Sequence, residues 1–285
     1  MPLDYDKLKD WRAEGPSQTY DADDTILYAL GIGLGHDPTD PRQLRFVYEK
    51  DLKALPTLCT VLAHPFAWLH KADPGINRTR LVHAEQGIRL HRPLPVAGQV
   101  HSETRVTGIV DKGPDKGALV YSERRLYDSG SGDLLASLTA TTMCRADGGF
   151  GGPAGPIPPA PAVPQREPDH RCDLPVLPQA ALLYRLNGDR NPLHADPEVA
   201  RRAGFDRPIL HGMCSFGMAG HALLRTLCDY DPARLVSLSA RFSAPVYPGE
   251  TLTIEMWRES GAVAFRGRVA QRDAIVLNHG QAQII

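Results

Sequence analysis

Nowhere in these 285 residues is there a dense run of lysine and arginine, and 32 basic against 33 acidic residues leave a net charge of −1. The chain therefore has no general electrostatic pull toward nucleic acid or an anionic membrane surface, and neither is expected as a partner. Long apolar runs are also missing, since the one from Ile26 to Gly35 is too short to cross a bilayer. The opening Met-Pro-Leu-Asp-Tyr-Asp-Lys lacks the basic and apolar regions of a secretion signal, and the closing Gln-Ile-Ile is not an address of the Ser-Lys-Leu kind. Cysteine is scarce. Cys59, Cys144, Cys172, Cys214 and Cys228 are odd in number and without a C-x-x-C spacing, which argues against a disulfide framework or structural zinc and for free thiols in a reducing compartment. The expected location is the cytoplasm. What is present is a hydrophobic content of 42%, enough for a packed core, in a chain long enough for one large domain or two ordinary ones.

Read in order, the chain opens with a polar stretch, and Asp23 and Asp24 then introduce a helix that must loosen at Gly31, Gly33 and Gly35. Residues 57–69 carry Leu58, Val61, Leu62 and Phe66 at helical spacing, bounded by Pro56 and Pro65, and predict a wrapped helix of at most about three turns. From Arg80 the period changes to two. Val100, Ser102, Thr104 and Val106 alternate with His101, Glu103, Arg105 and Thr107, and β-rich runs follow at 118–127 and 134–144, separated by glycine-rich turns. Seven prolines and five glycines between Gly148 and Pro168 mark a linker. The expected organisation is a first domain at 1–147, a linker at 148–168 and a second domain at 169–285. The second half repeats the plan, with a helix at 212–228 and strands at 235–244, 251–258, 262–271 and 274–285. Met213, Phe216, Leu223, Leu224 and Leu227 form that helix's apolar face. Gly217, Ala219 and Gly220 are small positions that let a sheet come close.

The densest chemistry lies at 184–197, where Asp189, Asn191 and His194 fall within six residues. A carboxylate, an amide and an imidazole can together bind and activate water. Pro192 keeps them on a loop rather than a helical face. Asp196, Pro197 and Gly204 mark the start and stop of the helix that follows. Gly-Asp and Asn-Pro are common turn formers, which would explain Asp189 and Asn191 but not His194. The predicted helix starts at Gly212, so its free N–H groups and dipole could hold an oxygen that becomes negative during reaction.

Gly188-Asp-Arg-Asn-Pro-Leu-His194, preceded by Tyr184-Arg-Leu and followed by the segment from Ala203 through Leu210-His-Gly-Met to Gly217, resembles the hydratase 2 signature of the MaoC-like family, closest to the hydratase unit of peroxisomal multifunctional enzymes. The resemblance implies an α+β double hot-dog, two antiparallel sheets each wrapping a central helix. It also implies reversible hydration of trans-2-enoyl-CoA to (3R)-3-hydroxyacyl-CoA, a lyase reaction of fatty acid metabolism needing neither metal nor redox cofactor. By the same resemblance Asp189 and His194 hold the catalytic water, Asn191 belongs to the same site, and the Gly212 N–H meets the thioester oxygen. Asn187 departs from the Ser or Thr of many relatives. A homodimer is implied as well.

His83-Ala-Glu-Gln86 resembles a His-Gly-Glu-Gln segment of two-domain hydratases, which places Glu85 either in support of the site or in a strand-end polar cluster. Arg207, with Arg201 and Arg202, could meet CoA phosphates or simply be solvated. His211 is read as packing at a helix start, and His64, His70, His91, His101, His221 and His279 as structural or exposed. The halves echo one another at Tyr28 to Pro38 and Tyr184 to Pro197, as expected of a duplication whose first copy has lost the site; the resemblance to double hot-dog relatives implies that residues 1–147 make room for a bulkier acyl chain. A hot-dog thioesterase and a non-catalytic acyl-CoA-binding subunit are the competing readings. Chain length preference is not legible.

Overall fold

The fold is a computed structural model that describes residues 3–65, 68–77 and 80–285, with the side chains of His70 and Lys71 outside the description. Eleven strands form one antiparallel sheet: β1 (Arg12–Glu14), β2 (Gln18–Tyr20), β3 (Leu81–Leu90), β4 (Gly98–Asp111), β5 (Ala118–Asp128), β6 (Leu134–Cys144), β7 (His170–Pro175), β8 (Leu235–Phe242), β9 (Thr251–Glu259), β10 (Ala262–Val269) and β11 (Ala274–Ile284). The helices are α1 (Tyr5–Leu8), α2 (Ala22–Gly31), α3 (Pro41–Val47), α4 (Trp68–Ala72), α5 (Ala180–Tyr184), α6 (Pro197–Arg202) and α7 (Gly212–Leu227).

From the seam outward, one half runs β3, β6, β5, β4 and the other β8, β11, β10, β9, so equivalent strands occupy equivalent places. The expected two sheets are thus one, because β3 and β8 pair directly from Glu85↔Arg241 to Arg89↔Ser237. The period-two pattern is what sends one face inward. In β5 the buried residues are Ala118, Val120, Ser122, Arg124 and Leu126, every second one.

Among the described residues, only the second half has its long central helix. α7 is 16 residues, and its interior positions from Cys214 to Leu224 are all buried. Its small face is approached by the first half more closely than by the sheet: a Cβ on Gly217 would stand 2.8 Å from Ile32, and one on Gly220 2.8 Å from Thr57 but 3.5 Å from Leu238.

Over the described residues 57–65, the helix expected at 57–69 does not form. A 3₁₀ turn, Pro56–Thr60, is followed by turns that end at Ala63 with a φ of 45°; Phe66 lies outside the described residues. The reason is competition for carbonyls. Arg124 donates to the carbonyls of Leu62, Cys59 and Thr60 at 2.6, 2.9 and 3.1 Å, the groups an α-helix would have bonded to its own N–H groups. Thr60 Oγ1 also donates to the Thr57 carbonyl, and Ala63 N–H donates to Gln18. Residues 145–169 contain no helix or strand, and the proline-rich part crosses the outer face of the sheet, where the His279 ring meets the Pro161 carbonyl at 2.8 Å.

Candidate active site

Three short-range constraints shape the 184–197 loop. The turn Arg185–Asn187 closes on Gly188, whose φ of 113° suits glycine. Asp189 then accepts a hydrogen bond on its carboxylate from Asn191 N–H at 3.1 Å, and the side-chain amide oxygen of Asn191 accepts from Leu193 N–H at 3.1 Å. Pro192 opens the turn Pro192–His194, which turns the His194 side chain into the protein, 8% exposed. Turn formation therefore occupies one carboxylate oxygen of Asp189 and the side-chain amide oxygen of Asn191. The second carboxylate oxygen and the Asn191 N–H₂ group have no partner among the described residues.

His194 Nδ1 lies 2.9 Å from the Ile209 carbonyl. A carbonyl can only accept, so Nδ1 carries the proton and the Nε2 lone pair is left over. Burial lowers the pKa of this imidazole, against the opposing effects of the Ile209 bond and the Asp189 charge, and the ring is neutral at pH 7.

His211, expected to pack at a helix start, does so at the N-cap position of α7. It is 1% exposed, and its ring stacks on His194 with centroids 3.8 Å apart and planes at 29°. Its Nε2 donates to the Asp189 carbonyl at 3.2 Å, and Tyr184 leans on the ring with centroids 5.1 Å apart. Burial first, and then repulsion from His194, lower its pKa. Asp189, His194 and His211 each bring a potential ligand atom within 4.8 Å of the others. The stack disfavours a shared metal, because each lone pair lies in its own ring plane and two nearly parallel planes do not converge at the required distance of about 2.1 Å.

Gly212 begins α7 and is exposed. No side chain caps this helix. Cys214 and Ser215 bond back to the His211 carbonyl, so the Gly212 and Met213 N–H groups are free among the described residues. A Cβ at Gly212 would meet two Phe242 ring atoms at 3.3 Å, so a side chain there would crowd the cleft. From the first half, the His83 ring meets Phe242 with ring centroids 5.0 Å apart. The Asp189 carboxylate acts electrostatically on His83.

Thus His83, rather than Glu85, is the member of the 83–86 segment that reaches the site. Glu85 is held by Arg241 at 2.6 and 2.8 Å and by Thr141 at 2.8 Å. It lines the outer groove under the proline-rich segment, the polar cluster of the alternative reading. A bulge between His83 and Glu85 explains the different facing. Arg207 is exposed and lies over the Tyr247 ring, 5.2 Å from its centroid, as Arg272 also does. The sequence signal for His211 and His83 was adjacency to Gly212 and to Glu85. Their facing required coordinates.

Residues 159–278 match the MaoC like domain, and residues 18–146 match the MFE-2 hydratase 2 N-terminal domain. The chain is 43% identical to the 3-hydroxyacyl-thioester dehydratase Y of Mycobacterium tuberculosis, over 92% of each chain. It is 38% identical to the peroxisomal enoyl-CoA hydratase 2 of Arabidopsis thaliana, over 91% of this chain and 88% of that one. Among solved structures, a MaoC-like dehydratase from Phytophthora capsici superposes with a TM-score of 0.87 at 34% identity, covering 99% of both chains.

Proposed function

This chain belongs to the MaoC-like hydratase 2 family and is a double hot-dog, and from that premise we propose that it adds water reversibly to trans-2-enoyl-CoA to give (3R)-3-hydroxyacyl-CoA. One observation carries the site assignment: the His194 Nε2 lone pair and an Asp189 carboxylate oxygen are the groups left over when the loop's internal hydrogen bonds are counted, and both residues bring a potential ligand atom within 4.8 Å of His211, the residue that precedes Gly212 at the start of α7.

In this reading water is held between Asp189 and His194. The Gly212 N–H donates to the thioester oxygen and stabilises its growing charge as the C2=C3 electrons move toward the carbonyl. The water oxygen bonds to C3, and its proton passes to His194 Nε2. The enolate then re-forms the carbonyl and C2 takes a proton back from the Asp189/His194 pair, so one water supplies both H and OH. His211 fixes the Asp189 backbone, and Phe242 and His83 close the cleft. Residues 1–147 serve as the half that accommodates the acyl chain.

The location we propose is cytoplasmic, supported by five free, buried thiols that suit a reducing compartment, and no described helix is long and apolar enough to cross a membrane. The assembly we propose is a homodimer, for which exposed Leu30, Leu182 and Leu186 offer apolar surface on neighbouring elements. The test is loss of enoyl-thioester absorbance in a chain-length series of trans-2-enoyl-CoAs, with the C3 configuration of the product determined. Release of free CoA thiol in place of hydration would move the thioesterase reading ahead.

A further inference from the structure

In the first half a small, largely polar cavity lies between the 60–65 segment and strands β3, β4, β5 and β6. Its volume is about 40 Å³, and it is lined by Thr60, His64, Gln86, Thr104, Ser122 and Arg124, together with a few apolar neighbours. That is room for two or three waters, or for one carboxylate. Arg124 is 7% exposed, and its partners are only the carbonyls of Cys59, Thr60 and Leu62. Three of its five N–H groups are used, and no Asp or Glu pairs with it among the described residues. Burial lowers its pKa to about 10, so the guanidinium is still cationic at neutral pH. Thr104 is 4% exposed, and its Oγ1 has no partner. A buried cation with no counter-ion beside an unpaired buried hydroxyl is costly unless something fills the gap.

The cavity lies against β3, the strand that carries His83 to the reaction centre. Gln86 in its wall is three residues from His83, roughly 10 Å along the strand. His64, also in the wall, is near enough to His83 to feel its charge.

We propose that the cavity receives the far end of the acyl chain and that Arg124 selects an anionic end: the substrate class is a trans-2-enoyl thioester whose chain terminates in a carboxylate. This rests on the hydration reading above. The carboxylate is the counter-ion Arg124 lacks, and Thr104 Oγ1–H donates to its second oxygen. A methyl end there would leave both groups desolvated and unpaired.

The test compares kcat/KM for trans-2-enoyl-CoAs of matched length ending in a methyl or a carboxylate, with the full chain and with Thr104→Val and Thr104→Ser variants. At the length that reaches the cavity, the carboxylate-ended substrate is preferred by about tenfold or more, the scale of one charged hydrogen bond. Thr104→Val lowers that ratio, and Thr104→Ser, which keeps the hydroxyl, retains it. Equal or better turnover of the methyl series at every length, or a ratio that Thr104→Val leaves unmoved, overturns the proposal while hydration stands. If neither series is hydrated, the hydration reading falls and takes this one with it.

Discussion

The His211 ring lies flat against that of His194, 3.8 Å between centroids, while its Nε2 holds the Asp189 backbone carbonyl. One buried side chain thereby fixes the spacing of the other two. His211→Phe keeps the stack and removes the hydrogen bond, so kcat falls by about tenfold, the worth of a bond of roughly 1–1.5 kcal/mol, while KM changes little. Steady-state kinetics check this; a rise in KM at constant kcat would contradict the positioning role.

Asp189→Asn and His194→Ala remove the two groups that hold the water. Each lowers kcat by about 10²- to 10⁴-fold, and the double variant falls little further because the pair acts as a unit. Variants as active as the parent would refute the site.

His194, His211 and His221 are all held below the ordinary imidazole value, chiefly by burial; for His221 the pKa is about 4. The unfolded chain then binds protons that the folded chain refuses at mildly acidic pH. Stability is therefore complete above the ordinary value of about 6.5 and is lost as pH falls through the window between it and the lower folded values. Urea midpoints measured from pH 7.5 down to 4.5 should decline, and the acid limb of kcat/KM should lie below pH 6.5.

Gly212→Ala places a methyl 3.3 Å from the Phe242 ring, at the mouth of the cleft beside the proposed oxyanion donor. kcat falls, up to the 10²- to 10³-fold typical of a lost oxyanion donor. Phe242→Leu, which vacates the ring, recovers part of it in the double variant. Identical losses in single and double variants would mean that the crowding is not the cause.

Gly217→Ala drives a methyl to 2.8 Å from Ile32 and 2.9 Å from the Tyr28 hydroxyl. Destabilisation of about 1–3 kcal/mol is expected, measured by urea denaturation. This reports on the contact of α7 with the first half, and a neutral result would mean that α2 can retreat at little cost.

Much of the architecture was legible because period-two burial and glycine-rich turns are local signals. β6 spans 134–144 as expected, and β4, β5, β8, β9, β10 and β11 differ from expectation only at their ends. The N-caps at Asp196 and the start of α7 at Gly212 were legible for the same reason. The first-half helix failed because Leu58, Val61 and Leu62 have helical spacing, but the deciding interaction is with Arg124, 62 residues or more along the chain. Facing failed similarly at Glu85, where one bulged residue reverses which side chain reaches the cleft.

By itself the sequence determined the strand pattern, the duplicated plan and the cluster of Asp189, Asn191 and His194, since each is set by neighbours a few residues away. Only the tertiary structure decided that Tyr28 and Tyr184, corresponding positions of the two echoes, face each other with ring centroids 6.2 Å apart, that His211 and His83 close on the site from two halves, and that Arg124 is buried without a counter-ion. Those are contacts between residues distant in sequence, and such pairs meet only when the sheet closes at the β3–β8 seam and burial sets the value of every polar group left inside.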